Sequence, residues 1–155
     1  MEDYWPFILL LPVKPTAQSK ILASVFSSEI ALKVLNLLKI EGKTYQKDIV
    51  KKLSYHSNKS VLNHLKRFVE VGIVKEGIEQ ASVDGRKVWI KWYKPTVIGK
   101  WLILLLTSRR DLSSADIKFL LRELIGYYAK SIARLCKEYG LNPLYFREIF
   151  DKSLE

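Results

Sequence analysis

The chain is poor in the residues that build metal and redox sites. It has one cysteine, Cys136, and two histidines, His56 and His64. A single thiol excludes an intramolecular disulfide framework and a multi-thiolate metal site, and it fits a reducing compartment. The histidines stand eight residues apart, a spacing that makes no familiar zinc site. No glycine-rich phosphate loop, paired-acid motif or nucleophile elbow occurs. The chain therefore does not read as an enzyme, and neither a metal nor a cofactor is expected. Long apolar runs are missing too. Residues 7–13 are apolar but interrupted by Pro12 and preceded by Glu2 and Asp3, where a secretion signal would carry bases. Residues 101–106 fall far short of the ~20 residues of a membrane helix. The expectation is a soluble, cytoplasmic protein, with residues 1–15 as an arm packed on the core or on a second subunit.

What is present is apolar mass and positive charge. With 48% apolar and 12% aromatic residues, the chain has the material for a packed core and not the composition of a disordered one. Its 155 residues make one domain with a helical appendage. The formal charge of +10 favours a polyanionic partner. That charge is segregated: residues 1–42 balance four bases with four acids, residues 43–100 carry thirteen bases against five acids, and residues 101–155 nine against seven. A phosphate-binding face concentrates its cations in this way.

Periodicity and capping residues divide the chain into helices and one hairpin. Residues 16–26 read as a short helix. Ser28 with Glu29 opens a second, to about Ile40, with Ile30, Val34, Leu37 and Leu38 on its apolar face. Thr44 reads as the cap of a third, to about Leu53, with Ile49, Val50 and Leu53 inward. Residues 58–71 form a fourth, whose stripe of Val61, Leu65, Phe68 and Val69 leaves a polar outer face, and Gly72 ends it as a left-handed C-cap. Asp84-Gly85 between residues 78–83 and 86–93 is a two-residue hairpin signal. On its second strand Val88, Ile90 and Trp92 alternate with Trp89, Lys91 and Tyr93, and Trp89 and Trp92 read as core rather than as a stacking platform. Thr96 caps a helix to about Thr107, apolar almost all round and so buried, plausibly between subunits. Ser113 with Asp116 forms a capping box opening a long helix to about Tyr139. Its stripe is Ile117, Leu120, Leu121, Leu124, Tyr128, Ile132 and Leu135, with Cys136 a core residue beside it. Asn142-Pro143 starts a last helix to about Ser153.

A helix, a turn, a second helix and a basic hairpin make a DNA-reading arrangement, because a helix fits the ~12 Å major groove and the hairpin lies on the adjacent backbone or minor groove. The stretch SVLNHLKRFVEVGIV at residues 60–74 resembles the recognition helix and following strand of ArsR/MarR-type winged helix-turn-helix regulators. YKPTVIG at residues 93–99 is similar to the segment with which that superfamily leaves its wing. The resemblance covers residues 28–106. It implies a mainly α fold with a small β-hairpin wing, a winged helix-turn-helix domain placed here over residues 16–107; the further helices read over residues 108–155 extend it, and they dimerise, bind an apolar effector or complete the core. It also implies a homodimeric transcription regulator on double-stranded DNA. The cysteine clusters of metal-sensing ArsR relatives are absent, so metal sensing does not carry over.

Candidate contacts follow from position. Asn58, Lys59, Ser60, Asn63 and His64 lie in the first turns of the recognition helix, and the Asn63 amide suits adenine. Leu62 meets a thymine methyl or is half-buried against the preceding helix. Lys66 and Arg67 are phosphate anchors. Tyr45, Gln46 and Lys47 position the third helix on the backbone. Arg86 and Lys87 follow the hairpin tip, where a long cation reaches the minor groove or a phosphate. Two other readings stay open: a winged-helix module that docks a protein partner in a larger assembly, and a non-specific architectural DNA binder. The sequence names no small-molecule effector.

Overall fold

The computed structural model describes residues 15–106 and 112–155. The arm over residues 1–15 lies, but for Pro15, outside the described residues, as does Thr107. The protein is mainly helical with one three-stranded antiparallel sheet. Its elements are α1 (Pro15–Val25), α2 (Glu29–Leu37), β1 (Thr44–Tyr45), α3 (Gln46–Lys52), α4 (Asn58–Glu70), β2 (Val74–Val83), β3 (Arg86–Pro95), α5 (Val97–Leu106), α6 (Ser114–Tyr139) and α7 (Pro143–Ser153). Two compact units separate, one over residues 16–112 and one holding residues 113–155.

In the first unit, α4 supplies the centre of the core. Val61, Leu65 and Phe68 are completely buried, joined by Ala31, Val34 and Leu35 of α2 and by Ile49 of α3. Ser57 caps α4, its Oγ accepting from the Ser60 amide at 3.2 Å. The helix closes in a Schellman motif: Gly72, at φ +81°, donates to Val69 O, and Ile73 donates to Phe68 O at 2.8 Å. That reversal sends Ile73 and Val74, both buried, into the sheet.

Several boundaries differ from the sequence reading, each for a tertiary reason. The second helix stops at Leu37 rather than Ile40, because Leu38 turns extended and both Leu38 and Ile40 are buried outside the helix. Thr44 does not cap the third helix. It forms β1, pairing with Tyr93, and its Oγ1 accepts from the Lys39 amide at 2.9 Å; Tyr45 stands at the N-cap with no capping bond from its side chain. The hairpin strands run the full 74–83 and 86–95, closing at Asp84 (φ +50°) and Gly85 (φ +76°) as a type I′ turn needs. Trp89 is not core but 68% exposed, whereas Trp92 is half-buried. In α5, Ile98, Leu102 and Ile103 are buried, yet Leu105 and Leu106 are exposed. Val69 is half-buried.

At the base of the hairpin, α5 sits on backbone. Thr96 Oγ1 donates to Gly72 O at 2.6 Å and to Ile73 O, and it accepts from the Gly99 amide at 3.1 Å, capping α5. A Cβ on Gly99 would stand 2.0 Å from Ile73 O, so only glycine lets the helix approach this closely. The Lys100 ammonium, near the following turn, meets Glu41 at 2.7 Å.

The second unit pairs α6 with α7. The Ser113–Asp116 capping box forms as the sequence predicts, with both reciprocal bonds present, and Asn142 caps α7 through its Oδ1. Leu120, Leu124 and Cys136 are buried, but Ile117 and Leu121, expected in the stripe, are exposed.

Candidate nucleic-acid interface

Burial of Val61, Leu65 and Phe68 fixes the rotation of α4 about its axis and thereby decides what faces outward. Lys59, Asn63, Lys66 and Glu70 recur at four, three and four along the opposite face, and all four are exposed. Leu62 is half-buried beside them, as is Ser60, while Asn58 is exposed at the first turn. The arginine and histidine of this helix go elsewhere. Arg67 Nε donates to Ser24 Oγ of α1 at 3.1 Å, and His64 Nε2 meets Ser28 Oγ, the cap of α2, at 3.0 Å. Partial burial holds the His64 pKa below its ordinary value. His64 and Arg67 thus tie α4 to its neighbours, Arg67 while remaining exposed, and the outward polar stripe is Lys59, Asn63, Lys66 and Glu70.

The ribbon has two faces, set by the pleat and the register. With Glu76 opposite Tyr93, Ile78 opposite Lys91, Gln80 opposite Trp89 and Ser82 opposite Lys87, these residues share one side. Gly77, Glu79, Ala81, Val83, Arg86, Val88, Ile90 and Trp92 share the other. Arg86 and Lys87, adjacent in sequence, therefore point to opposite faces.

The first face meets α4. Gln46, Leu62, Asn63, Lys66, Val69, Glu70, Glu76, Lys91 and Tyr93 line an open cleft of about 430 Å³. Tyr93, nearly fully buried, donates its hydroxyl to Gln46 Oε1 at 2.8 Å, and burial raises its pKa. Lys91 meets Glu76 at 2.7 Å, an ion pair that raises the lysine pKa. Four residues singled out from the sequence, Gln46, Leu62, Asn63 and Lys66, are brought together here. Lys91, Tyr93, Glu70 and Glu76 were not singled out. The alternation of Lys91 and Tyr93 with Ile90 and Trp92 signalled a shared face for the first two, but the two acids join them only through strand register and helix rotation.

The second face is an internal tie. Glu79 accepts from Tyr45 Oη at 2.6 Å and pairs with Lys43; the Lys43 bond first, then the tyrosine bond, hold its carboxyl pKa low. Lys43 also stands 4.8 Å from the Trp92 ring centroid, and the indole lies across Gly77, where a Cβ would fall 2.2 Å from Trp92 Cζ2. Tyr45 and Gln46 thus fasten the start of α3 to the ribbon, and Lys47 is exposed beside them.

This arrangement offers hydrogen-bonding amides and ammonium groups on an outward helix face. Among the described residues no group of three or more His, Cys, Asp or Glu could hold a metal ion, and no helix is long and apolar enough to cross a membrane. Compared with protein-family models, with curated proteins and with solved structures, the chain returns no match.

Proposed function

We propose that the chain is a sequence-specific, double-stranded-DNA-binding regulator of the winged helix-turn-helix kind, with α4 as recognition helix and the β2–β3 ribbon as wing. The observation that carries the reading is the outward stripe of Lys59, Asn63 and Lys66 on α4, continuous across the cleft with one face of a basic ribbon. In the major groove Asn63 pairs with an adenine edge while Lys59 and Lys66 meet phosphates. Ten-residue strands at ~3.4 Å per residue give the ribbon a reach of about 30 Å, enough to pass from the groove holding α4 to the adjacent backbone or minor groove. Of the acids near this surface, Glu76 and Glu79 are paired with Lys91 and Lys43, and Glu70, exposed at the far end of the α4 stripe, is the acid that a bound duplex must clear.

The regulator acts as a homodimer in this reading. Two copies of α4 would then sit ~34 Å apart on a pseudo-palindrome, and the exposed apolar residues of α6 and α7, among them Phe119, Ile125, Leu144 and Phe150, are what a second copy would cover. Sedimentation checks this: a monomer at all concentrations removes the dimer from the reading.

The deciding experiment is fluorescence anisotropy with duplex from upstream of the chain's own gene, random duplex and single strand, each titrated across salt. A steep log–log salt slope and a preference of ~10³ or more for one duplex establish a specific regulator. Equal binding to both duplexes establishes the architectural role instead, and no duplex binding at low salt ends the DNA reading in favour of a protein partner.

A further inference from the structure

Beyond its base the ribbon leaves two large apolar side chains of one face mostly in water. Trp89 is 68% exposed and Ile78 65% exposed. The register places them diagonally on one face, with Gln80 opposite Trp89 and Ile78 opposite Lys91, close enough for an aromatic to touch its neighbour. Lys87 and Lys91 lie two residues to either side of Trp89 on the same strand, so they share its face, their Cα atoms about 13 Å apart. Between the Ile78–Lys91 and Ser82–Lys87 pairs this face carries two cations, Lys87 and the Glu76-paired Lys91, and no carboxylate, with Asp84 following in the turn. It is also the face whose base, through Lys91 and Tyr93, lines the cleft with Asn63 and Lys66.

We propose that Trp89 is a wedge. With α4 in the major groove, its indole enters the neighbouring minor groove and partly unstacks one base step, bending the duplex. The chemistry fits the occupant. The minor groove is ~6 Å wide and flanked by phosphates, so a flat ring between two lysines matches an apolar slot between two anionic rails. Lys91 also holds Glu76 at 2.7 Å, which anchors the inner end of the face and leaves Lys87 as the phosphate contact nearer the tip. Ile78 backs the indole on the adjoining strand. Because unstacking is cheapest at flexible pyrimidine–purine steps, the wedge adds a preference for TA or CA/TG at a position where no hydrogen bond reads a base.

The inference rests on the duplex-binding reading, and the test separates the two. Full-length wild type, Trp89→Ala and Trp89→Phe are titrated onto a duplex selected from a random pool by the wild type, with a donor and an acceptor dye at its ends and 2-aminopurine at the TA or CA/TG step. Wild type is expected to raise end-to-end energy transfer and to brighten the 2-aminopurine. Trp89→Ala is expected to lose both signals and about tenfold in affinity, with an unchanged salt slope because no charge is removed; Trp89→Phe retains most of the bend. Since Trp89 is exposed, melting temperatures should match. Duplex binding in which Trp89→Ala bends and binds like wild type overturns the wedge alone. Failure of the wild type to bind duplex at low salt overturns both readings. A change in sedimentation of the free protein on Trp89→Ala identifies the patch as a protein contact and also overturns the wedge.

Discussion

The base and the tip of the ribbon share one unbroken ladder of paired residues, yet they answer to different constraints. At the base, Gly77 lies under the Trp92 indole, the Thr96 hydroxyl reaches two carbonyls, and α5 rests on the Ile73 carbonyl through Gly99. Further out, Ile78 at mid-ribbon, Trp89 and, next to the turn, Val83 stand in solvent, with Arg86 and Lys87 at the tip. Two tryptophans three residues apart on one strand thus have opposite roles, because an odd separation in a strand places them on opposite faces and the neighbours of each face differ. The comparison teaches that pairing makes the ribbon, whereas packing against α4, α5 and β1 decides which part of it is structure and which part is free to bind.

The comparison is broken most severely at Gly99. Gly99→Ala forces a methyl group into the Ile73 carbonyl, a backbone atom that cannot rotate away, and the cost is expected to be about 3 kcal/mol or more, read as a large loss in denaturant midpoint. Gly77→Ala comes next, at about 1–3 kcal/mol. Here the Trp92 ring must leave its place, so a change in tryptophan fluorescence should accompany the loss; an unchanged emission spectrum would contradict the packing described. Lys66→Glu sharpens the contrast from the other side. Its side chain is exposed on the outer face of α4, so stability should hold within about 0.5 kcal/mol, while duplex affinity falls at least about tenfold and the salt slope drops by about one per copy. Lys66 is chosen over Arg67 because the latter also bonds Ser24, which would confound binding with folding.

The smallest effect concerns pH. Burial depresses the pKa of His64 in the folded protein, so the folded state holds its proton less well than the unfolded chain, whose value is ~6.5. Stability from the neutral ring is complete above that value and declines as the pH falls below it. Between pH 7.5 and 5.5 the wild type should lose slightly more stability than His64→Gln, measured as the difference in melting temperature; equal losses would show that burial does not depress the His64 pKa.

Much of this was legible in local sequence. The buried side of α4 was read from the spacing of Val61, Leu65 and Phe68, its end from Gly72, the hairpin turn from Asp84-Gly85 and the start of α6 from Ser113 and Asp116. Each is a short-range signal carried by backbone conformation or by a neighbour within one turn. The misreadings share the opposite property. Thr44 has the chemistry of a helix cap, but a strand partner, Tyr93, lies 49 residues away. Trp89 is the residue type of a core, but it lies on the ribbon beyond the part that meets α4 and is 68% exposed. Of the cleft lining, Asn63, Lys66 and Leu62 were legible because helix periodicity separates inside from outside, and Gln46 from its place at the start of the third helix. The roles of His64 and Arg67 were not, since Ser28 and Ser24 sit on other helices.

By itself, then, the sequence determined the helices, the hairpin, the identity of the α4 core face and the concentration of cations in residues 43–100, because propensity, capping and amphipathic period act over a few residues. Tertiary structure alone decided which cations are free and which are tied down, that Lys91 and Tyr93 join Asn63 and Lys66 across one cleft, and that Trp89 is left in water. Those outcomes depend on strand register and helix rotation, which are set only when distant apolar faces close on one another.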